Sequence, residues 1–121
     1  MCPKANHKIL VVDDDADIRE VLSEVLAENG HDVVTASNGR EALDLLRRGL
    51  LPCMVFLDLM MPVMDGYVFM EERKIDPALS AIPVAVITAG RQVDFDRLDG
   101  ATVVPKPLRL PVLMSVIDKH C

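Results

Sequence analysis

An α/β fold built on a parallel sheet is the architecture this sequence predicts, and three observations carry it. Short apolar runs recur at residues 8–12, 32–36, 53–57, 83–88 and 102–104. Patterns of helical period separate the first three. The runs are continuous rather than alternating, as in parallel strands covered on both faces. Repeated strand–helix units of this kind form an α/β domain with right-handed crossovers.

Each element follows from its own residues. After the first run, Ile18, Val21, Leu22, Val25 and Leu26 make the one-sided stripe of an amphipathic helix. Asn29 and Gly30 stop it, Gly30 being suited to a left-handed C-cap. Asn38 with Glu41 resembles a capping box in which Asn replaces Ser or Thr. Ala42, Leu45 and Leu46 form that helix's expected buried face, and Gly49 ends it. A third helix is expected from about Gly66 to Lys74, ahead of Asp76 and Pro77. The last is expected from about Leu110 to Lys119, with Pro111 in its first turn and Val112, Leu113, Val116 and Ile117 facing inward. Between Thr88 and Lys106 the chain is short and polar, with only Val93, Phe95 and Leu98 as apolar anchors. One turn, not a full helix, is expected there.

A chain of 121 residues suits one domain, taken as 1–121 with a core over about 8–119. Half of the residues are hydrophobic and only 3% aromatic, so aliphatic side chains and Met must fill the core. The net charge of −6 argues against nucleic-acid binding, which needs clustered Lys and Arg, but leaves room for a cation. The three cysteines, Cys2, Cys53 and Cys121, show no paired spacing. Cys53 reads as a small buried hydrophobe and the other two as loose ends. The N-terminus lacks a signal-peptide core, and no run approaches the ~18 apolar residues of a membrane span. These features point to a soluble domain in a reducing, cytoplasmic setting.

The chemistry lies where the strands end. Asp13, Asp14, Asp58, Thr88 and Lys106 all fall at the carboxyl ends of predicted strands, the edge where open α/β sheets bind ligands. Two carboxylates about 5 Å apart repel by roughly 3 kcal/mol at an effective dielectric of about 20. A hard cation answers that repulsion, and Mg²⁺ takes one or two carboxylates with waters and phosphate oxygens. Adding the Lys106 ammonium and the Thr88 hydroxyl gives the position and charge that phosphoryl transfer needs. No Ser-His-Asp or Cys-His arrangement is visible, but an Asp carboxylate can itself attack phosphorus and form an acyl phosphate. Asp58, alone on the central strand, is the candidate.

Plainer readings stand beside these. Acidic residues 13–15 could simply favour a helix N-terminus, with Asp15 as the cap. Asp65 and Gly66 read as a turn into the third helix. Met60, Met61 and Met64 read as loop packing, and His7, His31 and His120 as surface residues. Ile18 reads as core or as a contact for a partner helix. Arg47 and Arg48 read as a solvated helix end.

Taken in order, Lys8-Ile9-Leu10-Val11-Val12-Asp13-Asp14-Asp15, Asp58-Leu59-Met60-Met61-Pro62-Val63-Met64-Asp65-Gly66, Ile87-Thr88-Ala89 and Lys106-Pro107 resemble the receiver domain of bacterial two-component response regulators, the chemotaxis-regulator type included. The resemblance implies a flavodoxin-like, doubly wound, five-stranded sheet of order 2-1-3-4-5 with helices on both faces. It implies phosphorylation of Asp58 by a histidine kinase or a histidine phosphotransfer protein. Direct Mg²⁺ ligands would be Asp14, Asp58 and the Met60 backbone carbonyl, with Asp13 acting through water and Mn²⁺ an acceptable substitute. Thr88 and Lys106 would contact the phosphoryl oxygens. Lys106–Pro107 would be cis, and Ala89 would leave the site open. The domain would catalyse only its own phosphorylation and slow dephosphorylation. It would touch neither nucleic acid nor membrane, and weak homodimerisation is allowed. It would act alone, in a relay, or as part of a longer protein.

Two departures stand out. Val103 occupies a position where receivers usually carry Tyr or Phe, and the 89–100 segment is shorter than the usual fourth helix. They suggest a conformational change confined to the loops after Asp58 and Thr88. They also motivate an alternative, a phosphorylation-insensitive interaction module of the same fold. A second alternative is a haloacid-dehalogenase-like phosphatase using Asp13 and Asp15. Against it, residue 17 is Asp rather than Thr or Val, and the chain lacks a cap domain and a downstream acidic pair.

Overall fold

The computed structural model describes residues 8–61, 63–90 and 93–121. Five strands alternate with helices: β1 (Lys8–Val12), α1 (Ala16–Glu28), β2 (Asp32–Ala36), α2 (Gly39–Arg47), β3 (Met54–Asp58), α3 (Gly66–Ile75), β4 (Val84–Thr88), a 3₁₀ turn (Phe95–Leu98), β5 (Thr102–Pro105) and α4 (Leu110–His120). All strand pairings are parallel, in the order β2-β1-β3-β4-β5. β3 is therefore central, and each of its five residues is buried.

The pleat divides the core in two. Leu10, Val12, Val55 and Leu57 point to the side covered by α2 and α3, where Leu43, Leu46, Phe69 and Met70 close over them. Ile9, Val11, Met54 and Phe56 point to the side covered by α1 and α4, meeting Leu22, Leu26, Leu113 and Ile117. Continuous apolar runs therefore serve two cores at once, the physical reason that they read as parallel strands.

Local chemistry fixes the helix ends. The Asp15 carboxylate accepts from the amides of Asp17 at 2.9 Å and Ile18 at 3.4 Å and caps α1. Asn38 caps α2 through the Glu41 amide at 2.9 Å, while Glu41 reaches back to the Ser37 amide at 3.0 Å. The reciprocal bond thus lands one residue earlier than in a capping box. Asp65 caps α3 through the Val68 amide at 3.0 Å. Gly30 has φ 86°, in keeping with a left-handed C-cap.

Several expectations need correcting. On α1 only Leu22 and Leu26 are buried; Val21 is 58% exposed, because it lines an open groove shared with Leu110 and Leu113. On α2 Leu43 is buried and Leu45 only partly so, and on α4 Val112 is exposed. Arg47 is not merely solvated; it lies 3.6 Å from both Glu72 and Asp76 and ties α2 to α3. His31 and His120 are half-buried, and His7 lies outside the described residues. Cys121 is not loose but is bonded to Cys53, across 68 residues of chain. A spacing that long carries no local signal. Cys2 lies outside the described residues.

Candidate functional site

Parallel strands deliver their last residues to one edge. Asp58 and Thr88 end β3 and β4, and Asp13 and Lys106 follow β1 and β5 directly. Backbone bonds lock these positions. The Asp13 amide donates to the Ala36 carbonyl at 3.1 Å, that of Leu59 to the Ile87 carbonyl at 3.1 Å, and that of Lys106 to the Thr88 carbonyl at 3.0 Å. The Lys106–Pro107 peptide is cis.

Carboxylate oxygens of Asp13, Asp14 and Asp58 lie within 4.8 Å of one another. Asp13 and Asp58 are buried and Asp14 is exposed. The Lys106 ammonium stands 3.5 Å from Asp58 Oδ2 and 3.9 Å from Asp13 Oδ2. Burial pushes the Asp13 carboxyl up to about 6, with Asp58 and Asp14 adding to the rise and the Asp15 amide and Lys106 opposing it. Asp58 is also raised, first by burial, with Lys106 and the Met60 amide opposing and Asp14 reinforcing. One ammonium does not balance two buried carboxylates and a third at the rim. An oxygen-seeking divalent cation fits that donor set.

Thr88 is 4% exposed, and its Oγ accepts from the Gly90 amide at 2.9 Å. The Met60 side chain is 68% exposed, and its amide donates to Asp58 Oδ1 at 3.3 Å. Gly66 is needed where the loop returns: a Cβ there would meet Leu59 Cα at 2.8 Å. Asp15 spends its carboxylate on α1, which removes it as an acid partner for Asp13. The structure thus brings Asp13, Asp14, Asp58, Thr88 and Lys106 to one edge. The neighbours that sequence reasoning missed are Arg19, whose Nη1 donates to the Asp13 carbonyl at 2.6 Å, and the Thr88–Gly90 bond. Arg19 lies one turn into α1, a position with no sequence signal of its own.

The model of the response regulator receiver domain matches residues 9–118. The chain belongs to that family. Receivers of this family are phosphoacceptors of two-component signalling, and the domain is a signalling module rather than a conventional enzyme. The chain is 44% identical over 97 residues to a probable transcriptional regulator, ycf27, of Porphyra purpurea, covering 80% of this chain and 38% of that protein. It is 39% identical over 113 residues to the response regulator MprA of Mycolicibacterium vanbaalenii, covering 89% of this chain and 47% of that one. The chain therefore spans less than half of these relatives. Among solved structures, chemotaxis protein CheY4 of Vibrio cholerae superposes with TM-score 0.85 at 28% identity, covering 97% and 100% of the two chains. The response regulator TrrA of Thermotoga maritima, solved with Mg²⁺ and BeF, gives TM-score 0.83 at 31% identity, covering 94% and 98%. No helix among the described residues is long and apolar enough to cross a membrane.

Proposed function

We propose that residues 1–121 act as a single receiver domain in which Asp58 takes the phosphoryl group. The observation that carries this reading is the Lys106 ammonium 3.5 Å from a buried Asp58 oxygen, beside two further carboxylates. Asp58 Oδ attacks the phosphorus of a phosphohistidine whose other ring nitrogen is protonated; a P–O bond forms as the P–N bond breaks, and the ring leaves as neutral imidazole. Thr88 Oγ and Lys106 Nζ meet the phosphoryl oxygens. Asp13, Asp14, Asp58 and the Met60 carbonyl would hold Mg²⁺, which supplies charge neutralisation and phosphate orientation when bound. The donor is a histidine kinase or phosphotransfer protein, and a DNA-binding output region outside these residues accords with the transcriptional regulators among the relatives.

The donor's seat, in this reading, is the apolar groove of about 690 Å³ between α1 and α4, which Ile18, Val21 and Leu113 line together with Lys106. Incubation with Mg²⁺ and acetyl phosphate, followed by intact mass, tests the phosphoacceptor. One phosphoryl adduct is expected, and none in Asp58→Asn; an adduct surviving that change refutes Asp58. Ile18→Glu should slow transfer from a phosphohistidine protein while leaving acetyl phosphate labelling intact. Equal loss with both donors would remove the groove from the mechanism. An amide spectrum unmoved by beryllium fluoride and Mg²⁺ would favour the phosphorylation-insensitive alternative.

A further inference from the structure

We propose that Cys53 and Cys121 form a reversible redox staple that fixes α4 to the sheet, at the edge opposite the aspartate cluster. Cys53 directly precedes β3, and its amide donates to the Lys8 carbonyl at 2.8 Å. That bond makes it part of the rigid sheet base. Cys121 ends α4, and its amide continues the helix to the Ile117 carbonyl at 2.7 Å. Their Cα atoms are 5.6 Å apart, within the span that a disulfide closes without backbone movement. Both residues are half-buried rather than enclosed in the core.

α4 needs such a tie more than the other long helices. Its N-cap, Arg109, makes no side-chain capping bond, whereas Asp15, Asn38 and Asp65 all cap their helices. Leu113, Val116 and Ile117 anchor it in the core, while Leu110 and Val112 of its first turn are exposed. The same helix walls the groove that faces α1. The thiol state therefore sets whether the C-terminal end of that wall is tied to the base of the sheet.

The exchange is balanced with a low-molecular-weight disulfide as oxidant. One thiolate attacks the reagent and releases one thiol. The second thiolate then displaces the other thiol from the mixed disulfide. Two protein thiols become one disulfide, and one reagent disulfide becomes two thiols.

The test uses the full chain carrying Cys2→Ser, equilibrated in oxidised or reduced glutathione, trapped with maleimide and weighed intact. No adduct is expected in the oxidised buffer and two in the reduced one, interconverting when the buffers are exchanged. Two maleimide adducts in both buffers, or two separate glutathione adducts without a cross-link, would overturn the proposal. The reduced form and Cys121→Ser should melt about 10 °C below the oxidised form, as expected of a long loop released in a small domain. Amide exchange should accelerate over 110–121 and stay unchanged in β3. Equal melting and equal exchange in the two redox states would show that the bond fixes nothing. No phosphodonor enters these measurements, so their outcome is independent of the role of Asp58.

Discussion

Replacing Asp13 by Asn should stabilise the metal-free protein, and the gain should depend on pH. The Asp13 side chain is 3% exposed and lies among Asp14, Asp58 and Lys106. Its pKa rises from 3.8 to about 6, mainly because burial strips water from the charged form. Keeping it ionised at neutral pH costs about 3 kcal/mol, or on the order of 10 °C in melting temperature for a domain of this size. Asn keeps an oxygen that can accept from the Asp15 amide, now bonded at 2.9 Å, and sheds the charge.

The direction follows from linkage. A carboxyl whose folded pKa is raised supports folding fully below its unfolded value of 3.8, and that support is lost as pH rises through about 6. Wild type and Asp13→Asn should therefore melt together near pH 4 and diverge up to about pH 7. Mg²⁺ should close the gap, since a cation at about one hundred times its Kd adds about 2.7 kcal/mol to the form that binds it. Thermal melts of both proteins between pH 4 and 8, in EDTA and in Mg²⁺, measure this directly. An Asp13→Asn protein that melts at or below wild type in EDTA at pH 7.5, or a gap indifferent to pH, would refute the electrostatic reasoning.

Val63 holds φ 67° while 83% exposed, a backbone region that branched residues avoid. Val63→Asn should raise stability by about 1 kcal/mol in denaturant titrations, since Asn tolerates that region and no packing is lost. Gly66→Ala should cost about 2 kcal/mol and also lower acetyl phosphate labelling, because the added methyl meets Leu59 Cα and the Asp58 carbonyl oxygen, at 2.8 and 3.1 Å. The Arg73 guanidinium is buried, donating to the Ile82 carbonyl at 3.0 and 2.7 Å and to Asp99 at 3.1 Å. Arg73→Met should cost about 3 kcal/mol by chemical denaturation, since it leaves a buried carbonyl without donors and Asp99 without its closest cation.

The strands were legible because burial on both faces writes itself as an unbroken apolar run, as in residues 54–57. The cluster was legible for a related reason: parallel strands send each final residue to the same edge, so Asp58, Thr88 and Lys106 declared their meeting by position alone. The single turn within 89–100 was legible because three apolar anchors cannot cover a helix. Contacts between distant, chemically ordinary residues left no trace. Cys53 meets Cys121 across 68 residues. Arg73 drew no reading from the sequence, and only the fold brings the Ile82 carbonyl and Asp99 to it. Val21 looks like core by period and is exposed, whereas Ile18 of the same stripe packs half-buried against the core. Periodicity reports that a face is apolar, not which part of it opens into a groove, as Val21 does.

The two departures from the family pattern converge on one face. Val103 is half-buried, pairs with Val86 and packs into the α2–α3 side of the core, with no ring to reorient. Thr88 Oγ already accepts from the Gly90 amide at 2.9 Å, so drawing that hydroxyl toward a phosphoryl oxygen pulls on residues 89–90. Further along, the Asp94 amide donates to Tyr67 Oη at 2.8 Å. Arg97 lies 4.5 Å from the Tyr67 ring centroid and forks Glu71 at 2.7 and 3.1 Å. The 3₁₀ turn is thus fastened to the first turns of α3, which follow directly from the loop after Asp58. Full switching needs about 5.5 kcal/mol of differential stabilisation. Against that stand one exposed, solvent-screened ion pair, one contact of Arg97 with a ring and one neutral hydrogen bond. A phosphoryl group can therefore release this clamp without any help from β5. With beryllium fluoride and Mg²⁺, amide shifts should concentrate at Leu59, Tyr67, Gly90 and residues 93–98 and stay small at Val103. A large response at Val103 beside a silent 93–98 segment would return the readout to the family's usual route.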